Sequence, residues 1–209
     1  VKQFRNGKRL AAGDLKVSYI EKSGKLKSIG WWNAASPFSE SLAFVSKDPN
    51  IIAGFARGEP VMDNLDISDP VNAFLKPVRY SFIHANGQTV FEGTYEQVLA
   101  FADHRAAVRI KEKWGYVNEL GEMIIPPQFD NADTFSEGLA FVRLNDEGYF
   151  IDTSGRFIFR VDASLVSPFR NGLAQLLSCS TSPCRSFYVD KQGRIVWQGV
   201  HGNTHSARF

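Results

Sequence analysis

The sequence predicts an all-β protein, a tandem array of about five 34-residue repeats of three short antiparallel strands each. The first observation is an octet with an aromatic third residue, an aliphatic fourth residue and a glycine eighth residue. It occurs five times and ends at Gly24, Gly87, Gly121, Gly155 and Gly193. The second is a phenylalanine fourteen residues after each of the first four glycines, at Phe38, Phe101, Phe135 and Phe169. The third is that the regular part of the chain shows no long helical period.

The most regular repeat shows how each element arises. Trp114–Asn118 is aromatic and β-branched, which favours a strand, and Gly121 provides the positive φ of a turn. Residues 122–125 form a second strand, which Pro126-Pro127 should end because proline has no backbone donor. The unit is completed by a loop or short helical turn over 129–134 and a third strand over 139–144.

Neighbouring repeats must pack on one another, because a single unit cannot bury its own aromatic face. We therefore expect one domain over residues 1–198, an open twisted solenoid of β-hairpin units, followed by a C-terminal tail over 199–209. A closed propeller-like ring is the alternative, since about five units could curl far enough to meet. The units start near residues 17, 80, 114, 148 and 186, with an insert at about 47–78.

One repeat resembles a known bacterial family. The residues that carry the resemblance are Lys113-Trp114-Gly115-Tyr116-Val117, Gly121, Ile125-Pro126-Pro127-Gln128-Phe129-Asp130 and Phe135-Ser136-Glu137-Gly138-Leu139-Ala140. They are similar to the WG repeat, also called the KWG repeat. The other units match its spacing with degenerate residues, and the Trp-Gly pair occurs only at Trp114-Gly115. The resemblance implies an all-β repeat module used in interactions, and it supplies no ligand or catalytic residue.

The composition is that of an ordinary folded protein and argues against several classes. With 44% hydrophobic and 22% charged residues the chain can build a core. A net charge of +2 gives no reason to expect a nucleic-acid partner. No apolar run approaches the roughly 20 residues that a membrane helix needs. The chain begins without methionine or a signal-like segment, from which we expect a processed product.

The insert at about 47–78 is the largest departure from the repeat and a candidate binding segment. It is locally acidic, with Glu59, Asp63, Asp66 and Asp69, and long insertions in repeat arrays often lie on the binding face. A cap or an eroded sixth unit is the alternative interpretation. The aspartates do not follow the spacing of a calcium loop, so no metal site is predicted there.

The two cysteines of the chain, Cys179 and Cys184, bracket the four extra residues of the last interval between glycines. The sequence predicts a disulfide that closes this hairpin loop, because both sulfurs sit across a hairpin. A disulfide implies an oxidising compartment and therefore a periplasmic or secreted protein. Two free thiols in a cytoplasmic loop are the alternative.

Trp31 is a candidate interface anchor. Trp32 falls six residues before Phe38, a spacing that other units share with their own aromatic residues, so Trp32 is predicted to be core. Trp31 then points outward, where it either contacts a partner or caps the first unit.

The histidines do not form a catalytic constellation in the sequence. Asp103-His104-Arg105 occupies an exposed bend, and no nucleophile accompanies it, which favours a surface loop. His201 and His205 could donate two metal ligands but lack a third. No metal site and no cofactor are expected.

These observations predict a non-enzymatic module that binds another protein. A concrete form is an inhibitor or immunity-type protein that binds a bacterial toxin or cell-wall enzyme, as suggested by the compact array, the expected disulfide and the acidic insert. A carbohydrate or cell-wall binding module that uses exposed aromatics such as Trp31 is the second hypothesis. The third is a hydrolase in which acidic residues and His84 or His104 converge in a deep pocket.

Overall fold

The protein is all-β throughout the residues that its computed structural model describes. Side chains are described for residues 32, 34–48, 77–180 and 182–200, and the backbone alone for strands within residues 4–28. The predicted all-β class is confirmed. No helix in these residues is long and apolar enough to cross a membrane.

Four antiparallel four-stranded sheets follow one another along the chain, and two short hairpins precede them. The hairpins are β1 (Phe4–Arg5) with β2 (Lys8–Arg9), and β3 (Ser18–Ile20) with β4 (Leu26–Ser28). Sheet 1 contains β5 (Ala34–Ala35), β6 (Leu42–Ser46), β7 (Val78–His84) and β8 (Thr89–Tyr95). Sheet 2 contains β9 (Gln97–Val98), β10 (Ala106–Ile110), β11 (Lys113–Val117) and β12 (Met123–Phe129). Sheet 3 contains β13 (Asn131–Ala132), β14 (Leu139–Leu144), β15 (Glu147–Asp152) and β16 (Phe157–Val161). Sheet 4 contains β17 (Leu165–Val166), β18 (Leu173–Ser178), β19 (Arg185–Asp190) and β20 (Ile195–Val200).

Each of these sheets has four strands where the sequence predicted three. The additional strand is only two residues long and precedes the bend; in sheet 3 it is β13, whose Asn131 and Ala132 pair with Arg143 and Val142. The sequence pattern predicts a loop or short helical turn for these residues. A two-residue strand has no alternation to detect, because pairing with its neighbour alone defines it.

The second strand of the regular repeat does not end at Pro126-Pro127, as predicted, but continues to Phe129. Two features allow this. β12 lies at the edge of sheet 2, so the missing donors of the prolines face no further strand. The register with β11 also shifts on this stretch, between the Trp114–Phe129 and Tyr116–Ile125 pairs, so the prolines fall in an irregular part of the ladder.

Alternate residues of the octet strand face the next sheet and the preceding one, as the period of a strand requires. The aromatic third residue points toward the next sheet along the chain, which we call forward: Phe82 packs with Phe101 and Val108 of sheet 2. The aliphatic fourth residue points backward, so Val117 of sheet 2 packs into the same cluster. The clusters between sheets 2 and 3 and between sheets 3 and 4 repeat this arrangement. The core is therefore a series of layers between consecutive sheets.

The two recurring aromatic positions are partners across each junction. We call the aromatic third residue of an octet the octet ring, and the phenylalanine fourteen residues after an octet glycine the bend phenylalanine. The octet ring of one sheet contacts the bend phenylalanine of the next sheet in three equivalent pairs. They are Phe82–Phe101 at 5.8 Å between ring centroids, Tyr116–Phe135 at 4.8 Å and Phe150–Phe169 at 4.9 Å. These contacts explain the fourteen-residue spacing in the sequence, because it brings each bend phenylalanine onto the octet ring of the preceding sheet.

A polar clamp also joins consecutive sheets at the bends. The residue after the bend phenylalanine is Ser39 in sheet 1 and Ser136 in sheet 3. These hydroxyls donate to the backbone carbonyls of Phe101 and Phe169 in the next sheet, at 2.6 and 2.7 Å. The residue after that is acidic and accepts a bend N–H of the next sheet. These contacts are Glu40 with His104 N–H at 2.7 Å, Asp103 with Gly138 N–H at 2.6 Å and Glu137 with Gly172 N–H at 2.8 Å.

The clamp predicts an acid-sensitive contribution to stability. Backbone N–H donors, that of Gly172 first, and the nearby Lys191 hold the pKa of Glu137 below its ordinary value of 4.5. A folded-state pKa below the unfolded one means that the carboxylate stabilises the fold above the unfolded pKa, and that this stabilisation is lost as the pH falls through the folded pKa. Glu137→Gln should therefore lower the urea midpoint at about pH 7, and the difference from wild type should shrink at about pH 3. A difference that does not change with pH would contradict the assignment.

Candidate functional site

The forward face of sheet 4 has no following sheet in the described residues. On its strands, Leu165 pairs with Leu177 and Tyr188 pairs with Trp197. Their sequence neighbours Leu176 and Val189 point the other way, into the cluster shared with sheet 3. We call Leu165, Leu177, Tyr188 and Trp197 the terminal face.

One residue of the terminal face, Tyr188, is exposed at a position whose equivalents in sheets 1, 2 and 3 are buried. Tyr188 occupies the third octet position, as Phe82, Tyr116 and Phe150 do. Those three are at most 1% exposed, whereas Tyr188 is 37% exposed. Trp197 is 52% exposed and Leu165 65%. Six of the nine large exposed hydrophobic residues found in the described part of the chain belong to sheet 4. Three of these six, Leu165, Tyr188 and Trp197, belong to the terminal face, and a group of exposed apolar side chains on one face is typical of an interaction site.

Trp197 is held in a defined orientation although it is exposed. Its ring lies 5.8 Å from that of Tyr188, centroid to centroid, at an interplanar angle of 63°. The ring also covers Gly199, where an added Cβ would lie 2.3 Å from a Trp197 ring carbon. A side chain already ordered in the free protein loses little conformational entropy on binding. The two rings are not coplanar, whereas two coplanar exposed rings would favour the carbohydrate hypothesis.

The clamp changes at sheet 4. Where sheets 1 and 3 have Ser-Glu after the bend phenylalanine, sheet 4 has Arg170-Asn171. The acidic acceptor for a following bend is therefore replaced by an amide and preceded by an exposed cation. The terminal face keeps the apolar chemistry of an inter-sheet junction but has lost the polar chemistry that would seat another sheet of the same kind.

The predicted disulfide is present between Cys179 and Cys184, with their Cα atoms 4.3 Å apart. It closes the connection from β18 to β19 in sheet 4. In sheets 2 and 3 the equivalent connection is a two-residue turn, and in sheet 1 it is the insert between β6 and β7. The two departures from the regular repeat length therefore occur at the same connection of their sheets, a relation that the sequence analysis did not anticipate.

The other sequence-predicted site residues lie outside the described residues. They are Trp31 and the four acidic residues of the insert, Glu59, Asp63, Asp66 and Asp69. Trp32 is described, and its ring packs against the buried cluster of Ala35, Ala43, Val45 and Ile83, as predicted for a core residue.

His104 lies with two carboxylates at the junction of sheets 1 and 2. Its Nδ1 is 3.1 Å from Glu119 Oε1, and its backbone N–H donates to Glu40 Oε2. The hydrogen bond and charge of Glu119, followed by the charge of Glu40, raise the pKa of His104 above its ordinary value of 6.5. The His104 side chain is 72% exposed, so this group lies at an open turn and not in a deep pocket. His84 is also exposed, with Nδ1 3.4 Å from the Ser41 carbonyl.

The terminal face was not predicted from the sequence, although the repeat contains a signal for it. The first four octet glycines are each followed, fourteen residues later, by a bend phenylalanine, and Phe101, Phe135 and Phe169 each contact the octet ring of the preceding sheet. Fourteen residues after Gly193 the chain has Ala207. Tyr188 therefore has no equivalent phenylalanine to cover it. The Glu40–His104 contact joins residues 64 positions apart, and no local spacing could show it.

Comparison with known families agrees with this architecture. The family model described as the WG containing repeat matches residues 80–114 and 114–147. The chain contains WG repeats over residues 80–147. The two matches meet at Trp114, the first residue of the Trp-Gly pair. The second WG repeat includes both the pair and the Pro126-Pro127 segment.

The solved structures that are similar to the chain include a distant one from a Bacteroides species. No curated protein matches the chain. A crystal structure of a protein of unknown function from Bacteroides caccae is similar to it with a TM-score of 0.38 and 15% sequence identity. The similarity covers 94% of this chain and 73% of the other.

Proposed function

We propose that this WG-repeat chain is a non-enzymatic module that binds another folded protein through the terminal face. The observation that carries the proposal is the exposure of Tyr188, whose octet position is buried in sheets 1, 2 and 3, together with its ring contact to the exposed Trp197. Tyrosine and tryptophan are among the residues that contribute most to protein–protein affinity. Leu165 and Leu177 pair with one another on the same face, and Gln175 lies opposite Tyr188 on β18.

The proposed partner differs from a further repeat. A following sheet of the same kind would need the acidic clamp, which sheet 4 lacks. Arg170 is exposed at that bend, so we infer a partner with an apolar centre and a carboxylate at its rim. A bacterial toxin or a cell-wall enzyme inhibited by this chain is the concrete form that we propose.

The proposed arrangement of the repeats is an open twisted solenoid of about five units, counting the octet that ends at Gly24. In a closed ring the first unit would cover the forward face of the last. The exposure of Tyr188 and Trp197 supports the open form. The disulfide supports a periplasmic or secreted location, because such bonds persist in oxidising compartments.

The test compares two matched double variants as baits in a periplasmic extract of the source organism. Tyr188→Ser/Trp197→Ser removes two exposed apolar side chains from the terminal face. Leu120→Ser/Met123→Ser removes two from sheet 2, where they are 68% and 39% exposed. A partner captured by wild type is then purified and titrated calorimetrically against all three proteins. We expect the terminal-face variant to bind at least about thirtyfold more weakly, as loss of hot-spot side chains does, and the control to bind normally.

Further arms separate the remaining possibilities. The immunity form predicts that wild type inhibits the activity of the partner in a one-to-one titration. Replacing the four carboxylates of the insert with amides measures the contribution of that segment. Equal affinity of the terminal-face variant, or no partner for a bait with a cooperative unfolding transition, would refute the proposal. A dimer that the terminal-face variant cannot form would assign the face to self-association instead.

A further inference from the structure

The charged residue next to the clamp carboxylate differs between the junction of sheets 3 and 4 and the junction of sheets 1 and 2. At the junction of sheets 3 and 4, Lys191 lies beside the clamp carboxylate, with its Nζ 3.3 Å from Glu137 Oε2. Lys191 stands two residues before an octet glycine. At the junction of sheets 1 and 2, the residue two before the octet glycine is Glu119. The junction of sheets 1 and 2 therefore has the Glu119 carboxylate where the junction of sheets 3 and 4 has the Lys191 ammonium group.

His104 is a third charged or titratable residue at the junction of sheets 1 and 2. It lies on the bend of sheet 2, between the clamp carboxylate of Glu40 from sheet 1 and the Glu119 carboxylate from the octet turn. One ligand atom from each of the three side chains can be chosen so that all lie within 4.8 Å of one another. We propose that Glu40, His104 and Glu119 bind a divalent transition-metal ion of the zinc type that bridges sheets 1 and 2.

The donor set fits such an ion better than it fits calcium or magnesium. Calcium and magnesium take oxygen ligands, whereas imidazole with carboxylate suits zinc and its neighbours. Tetrahedral zinc with ligands at about 2.1 Å requires donor atoms roughly 3.4 Å apart. The chosen donor atoms lie within 4.8 Å of one another, and Glu40 and His104 are exposed and Glu119 half-buried, so binding would draw the three side chains closer together. Solvent would supply the fourth ligand.

The bend position of His104 also allows a substitution that removes the imidazole and keeps the turn. His104 has a φ of 60°, in the left-handed region; the equivalent position is Ser41, with a φ of 74°, in sheet 1 and a glycine, Gly138 or Gly172, in sheets 3 and 4. Glycine adopts this conformation without steric cost, so His104→Gly removes a ligand and leaves the bend intact.

The test uses zinc chloride and the full chain without tags, after removal of metals with a chelator. His201→Ala/His205→Ala is the baseline, so that the terminal histidines do not contribute. We expect calorimetry to find one zinc per chain and thermal unfolding to shift upward with zinc. His104→Gly and Glu119→Gln should each weaken binding by about a hundredfold, at least as much as the loss of an outer-shell partner does.

The controls distinguish loss of the site from loss of the fold. His104→Gly copies the glycine of the equivalent bends and should be at least as stable as the baseline. Glu122→Gln alters a carboxylate in the same hairpin turn that bonds to Asn118 and is not one of the three ligands; its zinc affinity should equal the baseline. Zinc should also shift the His104 ring resonances in carbon-resolved NMR spectra. Binding weaker than about 1 mM in the baseline, or unchanged binding in His104→Gly, would overturn the proposal.

Discussion

Phe150→Ala is expected to destabilise the protein by about 4 kcal/mol, the range for emptying a buried aromatic position. Phe150 is 1% exposed. Its ring contacts those of Phe141, Phe159 and Phe169, at centroid distances of 5.8, 5.1 and 4.9 Å. Phe169 belongs to sheet 4, so the substitution removes part of the core between sheets 3 and 4. Guanidinium unfolding followed by circular dichroism measures the loss.

The repeat supplies the matched control for this prediction. Tyr188 occupies the same octet position one sheet later but is 37% exposed, so Tyr188→Ala should cost less than about 1 kcal/mol. Equal losses for the two variants would mean that the terminal face is covered in solution, and would remove the basis of the proposed function. Hydrogen exchange adds a spatial readout, because Phe150→Ala should accelerate exchange in β18–β20 before it does so in β10 and β11.

The sequence could predict the parts of the fold that depend on local residue types. The aromatic and β-branched residues of the octet identified its strand, and the need of each unit to bury its aromatic face predicted that neighbouring units pack on one another. The octet glycine identified the turn: Gly121 has a φ of 83°, and its N–H donates to the Asn118 carbonyl. The cysteine pair identified its disulfide, because both residues belong to one hairpin connection.

Features that depend on pairing between distant residues could not be predicted in this way. β13 is a strand only because β14 pairs with it. The His104 cluster depends on residues from two sheets. The terminal face required a comparison of the repeats with one another, since Tyr188 and Phe150 have similar octets and differ only in whether a bend phenylalanine comes later in the chain. Local patterns describe the structure within a repeat, but the structure at the ends and junctions of an array depends on which repeats lie next to one another.

The Trp-Gly pair has a steric cause, which Gly115→Ala tests. A Cβ on Gly115 would lie 2.4 Å from the Ile125 carbonyl oxygen, 2.7 Å from Pro127 N and 2.9 Å from the Pro126 carbonyl carbon. All three are backbone atoms, so no side-chain rotation relieves the contact. We expect a destabilisation of about 3 kcal/mol, typical of severe overpacking, measured by guanidinium unfolding.

Gly138→Ala is the control that separates crowding from backbone conformation. Gly138 has a φ of 87° and no atom within 4 Å of an added Cβ, so alanine there should cost only about 1 kcal/mol of left-handed strain. Gly115 has no such φ, and its expected loss arises from contact alone. Similar losses in the two variants would contradict this. A larger loss at Gly115 would explain why glycine accompanies Pro126-Pro127, whereas the repeats without that segment have Ser81, Tyr149 and Phe187 at the same octet position.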